Sequence, residues 1–179
     1  GQRVEGSLLG TALLFNNGAL IEQDMIQSNR VGTGNRGQTS APADAFKCKD
    51  DWILVQIVGQ PLWARWVRLM GDEDYWLNDP KFKDDLARGD NGEEISARMQ
   101  KWCAEHTREE AIVILSEARI PVGHIYKPED TLQDPQVQQG GFLQNVSYPG
   151  TPKDAPLVNL HLRLSKTPAS IRMRAPTLS

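Results

Sequence analysis

The sequence is poor in the side chains that most often carry chemistry: its 179 residues hold two cysteines, Cys48 and Cys103, and three histidines, His106, His124 and His161. The cysteines lie far apart with no C-x-x-C companion, which fits a reducing compartment and leaves both expected as inert buried thiols. No histidine has a second histidine, cysteine or carboxylate at a metal-ligand spacing, so no zinc or iron site is expected. Long apolar runs are missing too. The N-terminal stretch, residues 8–21, is interrupted by Asn16, Asn17 and Gly18 and falls short of the roughly 18 residues a membrane span needs. The start shows no basic stretch leading into an apolar core and a cleavage site, so cytoplasm is the default expectation. Nor does one sign of charge dominate: 20 basic side chains face 23 acidic ones, a net of −3. That balance argues against a nucleic-acid partner, because such binders concentrate Lys and Arg on one face.

What is present is enough chain for one domain or two small lobes with a core that needs neither metal nor disulfide. Leu8, Leu9, Ala12, Leu13, Phe15, Leu20 and Ile21 follow a three-to-four residue spacing and predict one long N-terminal helix, with Ser7 as its N-cap. From 29 to 43 the composition turns to Gly, Thr, Asn, Ser and Pro, which reads as a loop or linker. The β-prone runs 45–49 and 52–58 predict a hairpin across Asp50-Asp51. Residues 60–70 place Leu62, Trp63, Trp66, Val67, Leu69 and Met70 on helical spacing, with Pro61 in the first turn and Gly71 at the close. Two more helices are expected at 95–106 and 108–118, the second opened by a Thr107–Glu110 capping box. Strands are expected at 122–126, 143–148 and 157–164, a short helical or turn region at 129–139, and an extended tail from 165. The fold class is α+β.

Several motifs have a plain reading beside a chemical one. Gly32-Thr33-Gly34-Asn35-Arg36-Gly37 spells G-x-G-x-x-G, yet a dinucleotide site needs a strand before the glycines and a helix after them. Here a helix precedes and Gln38-Thr39-Ser40-Ala41-Pro42 follows, so the segment is a flexible linker or a mobile loop over a reaction centre. The acidic pairs Asp50-Asp51, Asp84-Asp85 and Glu93-Glu94 read as solvated turns or helix starts. Trp63 and Trp66 sit at core spacing rather than on a base-stacking platform. The residues alone supply no nucleophile–base pair, no metal cluster and no phosphate cradle, so no catalytic residue is assigned.

The order of features does carry a resemblance. Gly1-Gln2-Arg3-Val4-Glu5-Gly6-Ser7-Leu8-Leu9, Gly34-Asn35, Ala41-Pro42, the strand pair at 46–58 and Asn78-Asp79-Pro80-Lys81-Phe82 are followed by Trp102 and Thr107. Ile120-Pro121-Val122-Gly123, Asp134-Pro135-Gln136-Val137, Gly140-Gly141-Phe142 and Arg174-Ala175-Pro176 complete the series. In this order and with these gaps the chain resembles the class III CoA-transferase family, which also includes acyl-CoA racemases. The resemblance implies the middle and later part of a longer protein. Residues 1–30 would be a connecting helix, 31–44 a glycine-rich loop, 45–150 a small α+β domain, and 151–179 a return strand and tail toward a large Rossmann-like domain. It implies reversible transfer of CoA between carboxylic acids, with a CoA thioester as substrate and no tightly bound cofactor. It also implies an acyl-accepting aspartate lying before Gly1, so the chain alone is expected to be a non-catalytic fragment or split subunit. The family continues past the Leu178-Ser179 position. Gly34, Asn35, Gly37 and Gln38 stand where the family has a glycine run ended by glutamine that closes over the thioester; Arg36 departs from that run. Homo-oligomerisation through the N-terminal helix and a companion chain are the expected partnerships. A stand-alone association module and a racemase fragment are the alternatives.

Overall fold

The computed structural model describes residues 1–177; Leu178 and Ser179, the end of the expected tail, lie outside it. The chain forms two compact units, Gly1–Ile125 and the remainder from Tyr126.

In the first unit the expected single N-terminal helix is two, α1 Leu8–Phe15 and α2 Asn17–Ile26. The break falls at Asn16, whose side-chain amide donates to the Ala12 carbonyl at 2.8 Å and competes with the helix for it. Asn17 and Gly18 follow, both weak helix formers. Ser7 caps α1 as expected, its hydroxyl accepting from Gly10 N. Neither helix buries a side chain.

The core begins with β1 Ala43–Lys47 and β2 Trp52–Gln56, antiparallel, with Phe46 opposite Ile53. The turn between them has no glycine; the carboxylate of Asp50 takes its place, accepting from Asp51 N at 2.9 Å and from Arg108 N at 2.7 Å. The backbone bond from Arg108 is the main reason the Asp50 carboxyl is held below its usual range. β3 Val122–His124 joins the other side of β2, giving the order β1-β2-β3. Period-two alternation turns Ile53 and Val55 inward and leaves Trp52 and Leu54 outside.

α3 Gln60–Met70 contributes Trp63, Trp66, Val67 and Met70 to the same core. The Trp63 and Trp66 rings stack at 4.9 Å, and Trp76 and Phe82 close around them. Those two come from α4 Glu73–Asn78 and a single 3-10 turn, Pro80–Phe82, which lead into α5 Asp85–Asp90. α6 Gly92–Cys103 begins three residues before its expected start, and α7 Arg108–Glu117 opens with the expected capping box.

The second unit holds α8 Pro128–Gln133, α9 Pro135–Gln139 and a two-stranded sheet of β4 Leu143–Val146 and β5 Ala155–Val158. The strand expected over 157–164 ends at Val158. Leu160, Leu162 and Leu164 continue the alternation with their side chains exposed, and no strand pairs with them among the described residues.

Candidate functional site

The glycine loop is built from a tight turn and a fixed root. Thr33 to Arg36 form the turn, with Arg36 N donating to Thr33 O at 3.4 Å and the Thr33 hydroxyl donating to Arg36 O at 2.7 Å. Gly34 sits in it at φ +69°, a conformation a side chain resists. Gly34 and Asn35 are the exposed tip.

Gly37 and Gln38 form the half-buried root. Gly37 N donates to Ala43 O at 2.6 Å, and a Cβ at Gly37 would lie 2.9 Å from that of Ala43. The Gln38 side-chain amide donates back to Val31 O at 2.7 Å, closing the loop on itself. Its backbone carbonyl accepts from the Arg30 guanidinium at 3.0 Å. Arg30 in turn grips Glu22 of α2 with Nε 2.8 and 2.9 Å from the two carboxylate oxygens. That bond holds the Glu22 carboxyl below its usual range. After the root, Ser40 and Ala41 are buried and Ile57 N donates to Pro42 O at 2.9 Å, so the second half of the expected linker is core.

The seat beneath the loop comes from two glycines that sequence reasoning passed over. At Gly89, near the end of α5, an added Cβ would strike the Gln38 carbonyl and lie 3.0 Å from Ser40 N. At Gly92, the first residue of α6, it would lie 2.9 Å from Nη1 of Arg36. Glycines three apart at a helix junction were the available signal, since backbone or a large side chain approaches closely where a Cβ is missing. The neighbouring Arg88 fixes the seat to the core. It is 1% exposed, donates from Nε to Phe82 O at 2.8 Å, pairs with Asp85 at 3.0 Å, bonds Gln60, and lies 4.5 Å above the Trp63 ring. Burial pulls its pKa down while Asp85 opposes the shift.

Cys48 and Cys103 are both buried, and burial pushes both thiols up, away from the reactive thiolate. The His106 ring stacks on Trp102, and His124 on β3 faces Glu109 at 3.6 Å. His161 is exposed in the second unit. Glu93 and Glu94 fall in the first turn of α6, and Asp84 caps α5 by accepting from Ala87 N. Among the described residues no group of three or more His, Cys, Asp or Glu is placed to hold a metal ion, and no helix is long and apolar enough to cross a membrane.

Known proteins match this chain in sequence and in shape. The family model described as CoA-transferase family III matches residues 1–179. A formyl-CoA:oxalate CoA-transferase from Bradyrhizobium sp. (strain ORS 278) is 30% identical over 81% of this chain and 35% of its own length. A succinyl-CoA:mesaconate CoA-transferase from Haloarcula hispanica is 24% identical over 97% of this chain and 44% of its own. Of solved structures, Rv3272 from M. tuberculosis superposes with a TM-score of 0.71 at 16% identity, over 94% of this chain and 43% of that one. A CAIB/BAIF family protein from Brucella suis does so with a TM-score of 0.63 at 21% identity, over 92% and 43%. The chain thus spans less than half the length of these relatives.

Proposed function

The chain belongs to CoA-transferase family III, and from that premise we propose that it is the connecting-helix, glycine-loop and small-domain portion of an enzyme that moves CoA between carboxylic acids. The observation that carries this reading is the glycine loop: an exposed Gly34–Asn35 tip on a root held by Gly37, Gln38 and Arg30 and seated on Gly89 and Gly92. A loop with a free tip and a fixed root suits a cover over a reacting thioester, because closure then needs few dihedral changes. In this reading the nucleophilic carboxylate of covalent catalysis is supplied by chain outside residues 1–179, and the portion alone does not turn over.

The N-terminal helices support a partner in the same reading. Leu8 is 93% exposed and Phe15 86%, with Leu14 and Met25 each 74%. So much exposed apolar surface is covered in a working assembly. A second copy of the chain, or the remainder of a longer enzyme, is the proposed cover. The test is to purify the chain with and without the section that its longer relatives carry, and to assay CoA transfer from an acyl-CoA to a carboxylate. Transfer only by the combined form is expected. Turnover by residues 1–179 alone, abolished by replacing one of their own Asp or Glu side chains, would overturn the reading.

A further inference from the structure

Arg36 stands out in the loop because its charge has no use within the fold. Its backbone N–H and carbonyl close the Thr33–Arg36 turn, yet among the described residues its guanidinium has no hydrogen-bond or ion-pair partner. Other half-buried arginines of the same unit are committed: Arg30 to Glu22 and Gln38, Arg108 to Asp51. The Arg36 side chain is nonetheless placed, since the missing Cβ of Gly92 leaves room for its Cδ and Nη1. It lines a cavity of about 240 Å³ together with Arg30, Thr33, Gln38 and Asp90. Asp90 is not within ion-pair distance of Arg36 and acts electrostatically on Arg30, whose charge is already shared with Glu22. A guanidinium held in a small open cavity with unused donors is a receptor for a planar oxyanion.

Resting on the proposed CoA-transfer function, we infer that Arg36 is a specificity-determining residue: it receives the distal carboxylate of a dicarboxylic substrate while the other carboxyl group reacts. The loop position favours a carboxylate over a CoA phosphate. A loop that covers the thioester lies a full pantetheine arm away from the nucleotide phosphates, whereas the second carboxylate of a small diacid lies within a few bonds of the reacting carbon. Two relatives whose names give their acids, oxalate and mesaconate, act on dicarboxylates.

The test compares succinate with monomethyl succinate as acceptors in the assembled enzyme, with wild type, Arg36→Gln and Arg36→Lys. Wild type should prefer succinate, and the ratio of the two kcat/KM values should fall about 10–100-fold in Arg36→Gln, the size expected for a lost bond between charged groups. Arg36→Lys should keep part of the ratio, carried by KM. An unchanged ratio, or an equal loss on both acceptors, overturns the inference. So does a loss that disappears when the donor is built on 3′-dephospho-CoA, which would assign Arg36 to a phosphate. If wild type transfers CoA to no acid, the function reading fails and Arg36 is judged on the chain itself. Its side-chain Nε–Hε NMR signal should then shift with succinate and not with dimethyl succinate at matched ionic strength. A signal that stays still in succinate overturns the inference independently of turnover.

Discussion

The side chain of Gln100 on α6 pairs with both backbone groups of Lys47 at the edge of the sheet, accepting from Lys47 N at 3.0 Å and donating to Lys47 O at 2.7 Å. The amide takes the place of a neighbouring strand, closing an edge that would otherwise offer free donors and acceptors to another chain. Gln100→Leu should therefore destabilise the protein by about 1–3 kcal/mol, since it leaves a part-buried donor and acceptor unpaired. Urea unfolding at neutral pH measures it; a change within about 0.5 kcal/mol, the usual range for surface substitutions, would show that water replaces the amide at no cost.

The loop seat makes Gly89 the least replaceable of its glycines. Gly89→Ala should cost about 1–3 kcal/mol, because the new methyl meets backbone that is itself hydrogen-bonded to Arg30. Gly34→Ala should cost about 1–2 kcal/mol through its positive φ alone. Gly123 on β3, with open space around its Cβ position and an ordinary φ, is the control and should tolerate alanine. Thermal unfolding of the three variants gives the order directly.

Arg88 should be far more sensitive than a surface arginine. Removing it as Arg88→Met leaves the Phe82 carbonyl and Gln60 without its donors and Asp85 without its cation, though Asp85 keeps the Gly59 N–H, a loss of roughly 3 kcal/mol at the low end for buried pairs because Asp85 is partly solvated. Arg88→Lys should recover little, since one ammonium cannot reach three acceptors set for a planar fork. Recovery to wild-type stability by lysine would mean that charge alone, rather than the fork, is what the site requires.

Glu94 supplies a pH signature. Its carboxyl is held below its usual range first by the Tyr75 hydroxyl and then by Lys81 at 2.9 Å. A lowered folded value means that the stability from this contact is whole above about pH 4.3, the unfolded value, and is lost as pH falls through the folded one. The stability difference between wild type and Glu94→Gln should accordingly narrow on acidification below about pH 4. Tyr75→Phe should raise the Glu94 titration midpoint seen by NMR.

The N-terminal helices should govern association. The double substitution Leu14→Gln with Phe15→Gln removes two of the most exposed apolar side chains without touching the core. Light scattering at micromolar concentration should show wild type as an oligomer and the variant shifted toward monomer. A wild type that is monomeric at that concentration would remove the basis for a second copy as the cover.

Where contacts are local, the sequence was readable. Trp63, Trp66, Val67 and Met70 declare the buried face of α3 by spacing, and Thr107 with Glu110 declares the start of α7. The stretch 73–90 was not readable, because its helices are six residues or shorter and give periodicity nothing to act on. Its anchors are a tryptophan, a phenylalanine and a buried arginine drawn from separate turns. The loop positions were found by resemblance. The close approaches of Gly89 to Gln38 and of Gly92 to Arg36 join residues more than fifty positions apart and leave no mark in a local window, and Arg30 and Glu22, eight apart, match no helical or strand period.

The distribution of indoles between the two compact units gives the first an optical label of its own. All five tryptophans, Trp52, Trp63, Trp66, Trp76 and Trp102, belong to the unit Gly1–Ile125, while Tyr126 and Tyr148 belong to the other. Selective indole excitation thus follows melting of the first unit alone, whereas tyrosine emission mixes Tyr75 of the first unit with Tyr126 and Tyr148 of the second. Within the first unit Trp52 is 42% exposed, whereas Trp63 and Trp66 are fully enclosed, so acrylamide should quench a minor red-shifted fraction of the emission and spare the rest.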